Sequence, residues 1–573
     1  MPETPASLSI GRLRWLVYLA LVLGIITGLR LIYIQLFEHG KYTALAAGEH
    51  QRKDEIPAKR GQIYVLDGET KVPLALDQTL KLLYADPSII ADKADTAQKL
   101  ANVTGGSAAA YLEAMDKGKE YAVLAGRINE ETARRIKDLK LRGIGFKNQD
   151  YRSYPEGALA SQVLGFVNNE GEGQYGIEGR LNEELKGTPG HLNAKTDTSG
   201  VPIATADNIS KPPVDGADVV LTIDRNIQAK AEEYLKEGVE GSHAESGSIM
   251  VLDPDTGAVK AMANYPSFDP NAFGNVRDYR VFGNSVVSSQ FEPGSVFKVI
   301  TVAAGLDKGA IRPDTTYNDK VCEKIDGYEV CNAEKHGGEP NTTMTIALRN
   351  SLNTGMMQTL RLLGGNPDAI TAVGKQAFYD YMTDHFAFGK PTGIEQVGEA
   401  SGYVKPPTSS NVGYANMTFG QGVSVTMAQM VAAVGAIANG GKLYQPYVID
   451  HKVKADGTTI TTQPKVVNDK VMSSAAAKDL ANMMEDVVQK GSGWRAITPG
   501  YRISGKTGTA QIPNPNGKGY LTDQNIGTFV GFAPTDNPKF VIMVRIDKPK
   551  NQAFAQTTTV PVFANLTRWL LQY

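Results

Sequence analysis

Residues 292–304 read Glu292-Pro293-Gly294-Ser295-Val296-Phe297-Lys298-Val299-Ile300-Thr301-Val302-Ala303-Ala304. Pro293 and Gly294 mark a helix start. The apolar run behind Lys298 fits an element buried on every side, a core helix or a strand. On a helix, Ser295 and Lys298 stand at i and i+3 and share a face. A serine in the first turn lies in the positive end of the helix dipole, which favours its alkoxide. A lysine in so dry a place has a lowered pKa and accepts the serine proton. The plainer alternative is a serine N-cap followed by a surface lysine, and this spacing alone does not separate the two.

Two further clusters widen the pattern. Lys506-Thr507-Gly508-Thr509 follows the β-leaning Tyr501-Arg502-Ile503-Ser504. Glycine at 508 permits a ligand backbone to approach the strand, and a lysine with two hydroxyls beside that gap suits a carboxylate. Taken alone, the segment also reads as a polar edge strand with a glycine bulge. Ser351-Leu352-Asn353 lies between Met344–Leu348 and Met356–Leu360, a buried helical region. A hydroxyl and a carboxamide there need partners, so they are expected to face a cleft; simple helix capping is the alternative. Ser409-Ser410-Asn411 repeats the spacing but follows Lys405-Pro406-Pro407 in what reads as a loop, and ranks behind.

The 573 residues suffice for two or three domains. A composition of 42% hydrophobic and 21% charged residues is that of a globular protein. The formal net charge of −2 gives no support for a nucleic-acid partner. Seven histidines without an HExxH spacing and two cysteines support neither a catalytic metal nor a Cys₄ zinc site, so no metal and no cofactor is expected. Cys322 and Cys331 flank Asp326-Gly327, a turn-forming pair. A hairpin would bring them together, as a disulfide or as two thiols, in an oxidising compartment.

Residues 15–37 carry no charge apart from Arg30, are mostly apolar, and are long enough for a hydrocarbon core that needs about 20 helical residues. Arg12 and Arg14 place the tail, 1–14, in the cytoplasm and the rest outside. A cleaved signal peptide is the rival, because Ala44-Leu45-Ala46 resembles a cleavage site. The long apolar run and the intervening Glu38, His39 and Lys41 favour a single-pass anchor. Arg30, late in the span, snorkels outward or pairs with a neighbouring helix.

No period recurs along the chain. Residues 38–215 mix strand-like runs, a helix around Glu130 to Leu139, and a loop punctuated by Gly171, Gly173, Gly176 and Gly179. A boundary is expected near 215, after Lys211-Pro212-Pro213 and before Val219-Val220-Leu221. Residues 216–573 read as α+β. Ser248–Leu252 and Ala258–Met262 flank a turn, as do Thr528–Phe532 and Phe540–Val544, the last suited to a strand buried on both faces. Leu480, Met483, Met484, Val487 and Val488 recur at helical spacing. A sheet built from both ends of this region, with helices from its middle, is the simplest assembly.

In this order, in an exported and anchored chain, the three clusters resemble those of class B penicillin-binding proteins, monofunctional peptidoglycan D,D-transpeptidases. Arg60-Gly61-Gln62-Ile63, Arg152-Ser153-Tyr154-Pro155, Gly176-Ile177-Glu178-Gly179, Leu221-Thr222-Ile223-Asp224, Phe419-Gly420-Gln421-Gly422 and Ala438-Asn439-Gly440-Gly441 resemble that family too. The resemblance implies an α+β chain with one N-terminal transmembrane helix and an elongated mixed pedestal domain of dimerisation type. A transpeptidase domain like that of serine β-lactamases follows, its central antiparallel sheet flanked by helices, with no extension behind it.

The resemblance also implies roles. Ser295 attacks the penultimate D-Ala carbonyl and Lys298 takes its proton. Ser351 relays a proton to the leaving D-Ala, and Asn353 holds the substrate backbone. Lys506 holds Ser351, Thr507 and Thr509 receive the terminal carboxylate beside Gly508, and the N–H groups of Ser295 and Thr509 hold the oxyanion. Implied partners are peptidoglycan stem peptides, β-lactams, a membrane-embedded glycan polymerase of the SEDS type, and the bilayer through residues 15–37, in cell division rather than elongation. The alternatives are a D,D-carboxypeptidase or β-lactamase-like hydrolase, and a non-catalytic β-lactam sensor or division scaffold. Glu178-Gly179-Arg180-Leu181-Asn182 matches the Glu-x-x-Leu-Asn pattern of one β-lactamase class, but it precedes the nucleophile. Intact motifs speak against a scaffold.

Overall fold

The computed structural model describes residues 10–42, 51–118, 120–195, 209–333, 337–514, 517, 519–550 and 554–573. The candidate cleavage site at Ala44–Ala46 and residues 1–9 of the expected tail lie outside the described residues. The chain divides into two compact units, 1–59 with 187–215, and 60–186 with 216–573.

The first unit holds the helix Ile10–Phe37, whose stretch Leu13–Phe37 contains an 18-residue window of mean hydropathy 2.1 with none of its residues buried. Nothing in that helix is amphipathic: apolar side chains point outward all round, as a lipid-facing span requires. Arg30 lays its guanidinium 5.5 Å from the centre of the Tyr33 ring. An antiparallel sheet in the order Gln51–Ile56, Gly190–Lys195, Ile209–Lys211 completes the unit.

In the second unit a five-stranded antiparallel sheet runs in the order Val259–Tyr265, Ser246–Leu252, Phe540–Asp547, Tyr520–Ala533, Ser504–Pro513. Both ends of the transpeptidase-like region build it, as expected. Its strands are apolar on both faces, and their alternation sorts them into two cores. Ile249, Val251, Phe529, Ile542, Val544 and Ile546 pack against the helices Arg225–Gly241 and Ala555–Leu570. Met250, Leu252, Val530, Phe532, Val541 and Met543 face the helices Lys298–Asp307, Met427–Ala438 and Ser474–Lys490. Burying each such side chain contributes about 1.5–3 kcal/mol. This sandwich fixes the edge strand Ser504–Pro513 relative to the helix that follows Ser295.

A seven-stranded mixed sheet joins distant sequence. Asp218–Asp224 pairs parallel with Ile63–Asp67 and antiparallel with Ile449–Val453. Those ladders are why residues 60–186 share a unit with 216–573, across the position near 215 where composition shifts. Three of the segments singled out in the sequence meet there. Glu178, fully buried, accepts Arg152 Nε at 2.7 Å on one carboxylate oxygen and Arg60 Nε at 2.8 Å on the other. Arg152 Nη1 reaches Asp77 at 2.9 Å and Arg60 Nη1 reaches Asn182 at 3.0 Å. The Glu-x-x-Leu-Asn match therefore serves a buried ion-pair network.

Cys322–Ile325 and Tyr328–Cys331 form a hairpin whose turn residues, Asp326 and Gly327, have φ of 50° and 85°. Positive φ at both is the two-residue turn that matches strand twist. Cys322 and Cys331 face each other in the ladder and are joined as a disulfide.

Breaking a buried ion network on one side leaves charge uncompensated, at a cost of about 3–5 kcal/mol. Glu178→Gln takes from Arg60 and Arg152 the carboxylate they share, leaving Arg152 with Asp77 alone, and is expected to lower unfolding free energy by that amount in denaturant titration. An unchanged midpoint would show that the network is not structural.

Candidate functional site

Ser295 lies on a 3₁₀ turn, Gly294–Phe297, and Lys298 opens the α-helix Lys298–Asp307. The sequence reading placed both on one α-helix. The tighter turn arises where Gly294, at φ +59°, donates its N–H to Gly420 O at 3.0 Å and bends the entry. A Cβ on Gly420 would stand 2.1 Å from Gly294 O, so the turn and the Phe419–Gly422 loop interlock backbone to backbone.

The strand Ser504–Pro513 closes on the same turn. A Cβ on Gly508 would meet Thr528 Oγ1 at 2.5 Å, Val296 Cγ1 at 3.0 Å and Pro293 O at 3.1 Å. Glycine is thus demanded by the turn that carries Ser295, a constraint that the sequence reading had assigned to a ligand.

Lys298 and Lys506 are both completely buried. Lys298 Nζ donates to Ser351 Oγ at 3.1 Å and also to Ser351 O. Lys506 Nζ donates to the same Ser351 Oγ at 3.1 Å and to Thr507 O at 3.0 Å. Ser351 sits between the helices Met344–Arg349 and Asn353–Leu363 with φ of 57°, a left-handed conformation costly for a non-glycine residue. That kink aims its hydroxyl between the two lysines. Burial, and then the neighbouring charge of Lys506, holds Lys298 well below the ordinary lysine range. Burial brings Lys506 down to about 7. Two ammonium groups so close, with no carboxylate on either among the described residues, disfavour double protonation.

Asn353 begins its helix half-buried, and its Nδ2 donates to Cys331 O at 2.8 Å. Thr507, buried, shares a hydrogen bond of 2.5 Å with Ser492, while Thr509 is exposed on the edge strand. The second Ser-x-Asn copy goes elsewhere. Ser410 caps the helix Asn411–Met417, which replaces the loop read from the prolines, and Asn411 reaches Asp326 at 3.3 Å. That short helix starts four residues after Pro407, behind the capping Ser410.

The structure therefore brings Lys298, Ser351 and Lys506 into direct contact. It sets Ser295 one turn before Lys298, and Thr507, Gly508 and Thr509 on the strand beside it. Ser492 was missed, because an isolated hydroxyl between Gly491 and Gly493 has no spacing signature. So was Glu292, which accepts Gly422 N at 2.8 Å and the Tyr520 hydroxyl at 3.0 Å. Burial pushes its carboxyl up from the usual range.

Comparison with known proteins defines the class. Residues 247–568 match the penicillin-binding protein transpeptidase domain, and residues 55–221 match the penicillin-binding protein dimerisation domain. The chain belongs to the penicillin-binding protein transpeptidase family, in its class B form. It is 33% identical to stage V sporulation protein D of Bacillus subtilis, over 97% of this chain and 85% of that one. Identity to the peptidoglycan D,D-transpeptidase FtsI of Escherichia coli is 30%, covering 91% and 84% of the two chains. The crystal structure of penicillin-binding protein 3 from Mycobacterium tuberculosis complexed with aztreonam superposes with a TM-score of 0.70 at 29% identity, covering 91% and 97%.

Proposed function

We propose that the protein is a peptidoglycan D,D-transpeptidase that cross-links stem peptides through an acyl-enzyme at Ser295 and takes up β-lactams at the same residue. The observation that carries this reading is the convergence of two buried lysines on the Ser351 hydroxyl, one turn from Ser295. A lysine held neutral accepts the Ser295 proton as Oγ attacks the penultimate D-Ala carbonyl. The resulting oxyanion lies between the N–H groups of Ser295 and Thr509, donors of a kind worth about 10²–10³ in rate. Collapse breaks the C–N bond; Ser351, fed by Lys298 and Lys506, delivers the proton and D-Ala leaves. Asn353 binds the substrate backbone, while Thr507 and Thr509, joined by Ser492, receive the terminal carboxylate beside Gly508.

The ester then passes to the amine of a neighbouring stem peptide by the same relay in reverse. Water activation would need a free carboxylate. Glu178 is spent on two guanidiniums, and Glu292 is engaged by Gly422 and Tyr520.

The apolar helix Ile10–Phe37 anchors the chain with Arg12 and Arg14 on the cytoplasmic side, which leaves the catalytic domain outside. The Cys322–Cys331 disulfide fits that oxidising side. The anchor holds the enzyme beside a membrane-embedded glycan polymerase of the SEDS type, and the match to FtsI supports a place in cell division. Residues 38–215 serve as its pedestal and 216–573 as its transpeptidase domain.

Supplied with nascent glycan from such a polymerase, the full-length enzyme is expected to yield cross-linked muropeptide dimers, and Ser295→Ala none. Trimmed monomers alone, at every acceptor concentration, would make the protein a carboxypeptidase. Asn353→Ala is expected to slow acylation by a fluorescent penicillin by about 10²-fold. Asn411→Ala, a surface change, should alter it by no more than about twofold. Equal effects would move the substrate-binding role to the other copy.

A further inference from the structure

Behind the Ser351 turn lies a buried carboxylate that the proposed reaction does not use. Asp319 is 2% exposed. Its Oδ1 accepts the Thr354 hydroxyl at 2.8 Å, Val321 N at 3.0 Å and Asn332 Nδ2 at 3.1 Å. Its Oδ2 accepts Gly338 N at 2.9 Å and Asn332 Nδ2 at 3.2 Å. Among the described residues no lysine or arginine pairs with it. A carboxylate taken out of water is costly unless hydrogen-bonded throughout, and these donors meet that need.

The bonds run straight to the substrate-binding amide. Because Asp319 takes the Asn332 Nδ2, the Asn332 carbonyl must face the other way, and there it accepts Thr354 N at 3.1 Å. The preceding residue, Cys331, receives Asn353 Nδ2 on its carbonyl at 2.8 Å. The dipeptide Cys331-Asn332 thus grips the first turn of the helix Asn353–Leu363 at a side chain and at a backbone N–H. Asp319 fixes that dipeptide and the Thr354 hydroxyl together. Tyr317 closes the arrangement, its hydroxyl 3.1 Å from Thr354 Oγ1. One amide hydrogen of Asn353 is consumed by Cys331 O. Its Oδ1 meets no donor among the described residues and, on a half-exposed side chain, is left for a ligand.

We propose that Asp319 is a positioning residue of the acyl-transfer site, setting the Asn353 amide through Asn332 and Thr354 for its contact with the stem-peptide backbone. The proposal rests on the acyl-transfer reading for its consequence in rate, and on the hydrogen bonds alone for its consequence in geometry. An amide at position 319 would turn a donor toward Val321 N, Gly338 N or Asn332 Nδ2, so Asp319→Asn releases the grip while keeping volume.

Full-length protein in detergent is assayed with a fluorescent penicillin. Asp319→Asn is expected to lower the second-order acylation rate constant by up to about a hundredfold, the scale on which a slightly misplaced group costs rate. In an Asn353→Ala background the same change is expected to cost nothing further, because the residue through which it acts is gone. A general weakening of the fold would give the same factor in both backgrounds, and that result overturns the proposal. Thr354→Ser retains the hydroxyl bond to Asp319 and should keep the parent rate, while Thr354→Val should reproduce the loss. This pair decides the matter if Asp319→Asn does not fold, and equal rates for the two also overturn it. A crystal structure of Asp319→Asn, or of Thr354→Val, gives a readout independent of chemistry. The Asn353 amide should leave Cys331 O, and an unmoved amide contradicts the proposal even if the parent protein takes up no penicillin.

Discussion

The burial of two lysine side chains on one serine hydroxyl is the constraint on which the rest depends. An ammonium stripped of water is costly, and a second one beside it is costlier still. Among the described residues neither Lys298 nor Lys506 has a carboxylate partner; each is given Ser351 and a backbone carbonyl. Such a pair sheds a proton, and the neutral amine it creates is the base that the proposed acyl transfer calls for. The lysines are chemically useful because the surrounding fold keeps them dry.

Dryness comes from backbone-to-backbone packing. Gly294 against Gly420, and Gly508 against Pro293 and Val296, leave no room for a single methyl group. Those contacts are possible because the edge strand and the core helix are each fixed by the two-faced sheet. The three functional clusters therefore arrive from far-apart sequence onto a helix start, a helix–helix kink and a strand. All three are rigid elements, which hold a site more closely than loops do. Ser351, at a positive φ, is held by lysines on one side and by the helix behind it on the other.

Much of this was legible in the sequence. Apolar runs flanking turns, around Met250 and Val544, foretold the sheet, and the spacing of Leu480 to Val488 foretold a helix. Asp326-Gly327 foretold the hairpin that pairs the cysteines. The Ser295–Lys298, Ser351–Asn353 and Lys506–Thr509 clusters were legible as a conjunction, because each carries side chains that a buried context must use. What stayed hidden depends on tertiary placement. The 3₁₀ turn at Ser295 follows from the hydrogen bond to Gly420, more than a hundred residues away. Gly508 answers to a neighbouring backbone, and Ser492 and Asp319 act through partners that no local spacing announces. The parallel pairing of Asp218–Asp224 with Ile63–Asp67 joins segments that composition alone would part.

The central claim is that Lys298 is neutral and basic where it sits, and the pH dependence of acylation tests it most directly. In the proposed reaction only the neutral amine accepts the Ser295 proton, so the rate constant should rise with pH through the Lys298 pKa. Because that pKa is depressed, the rise should be centred well below the ordinary value of 10.5. Lys506→Met removes a neighbouring positive charge that contributes to the depression, so the midpoint should move to higher pH as the neutral-pH rate falls. A rise centred near 10.5 in the parent enzyme, or a midpoint unmoved by Lys506→Met, would contradict the account.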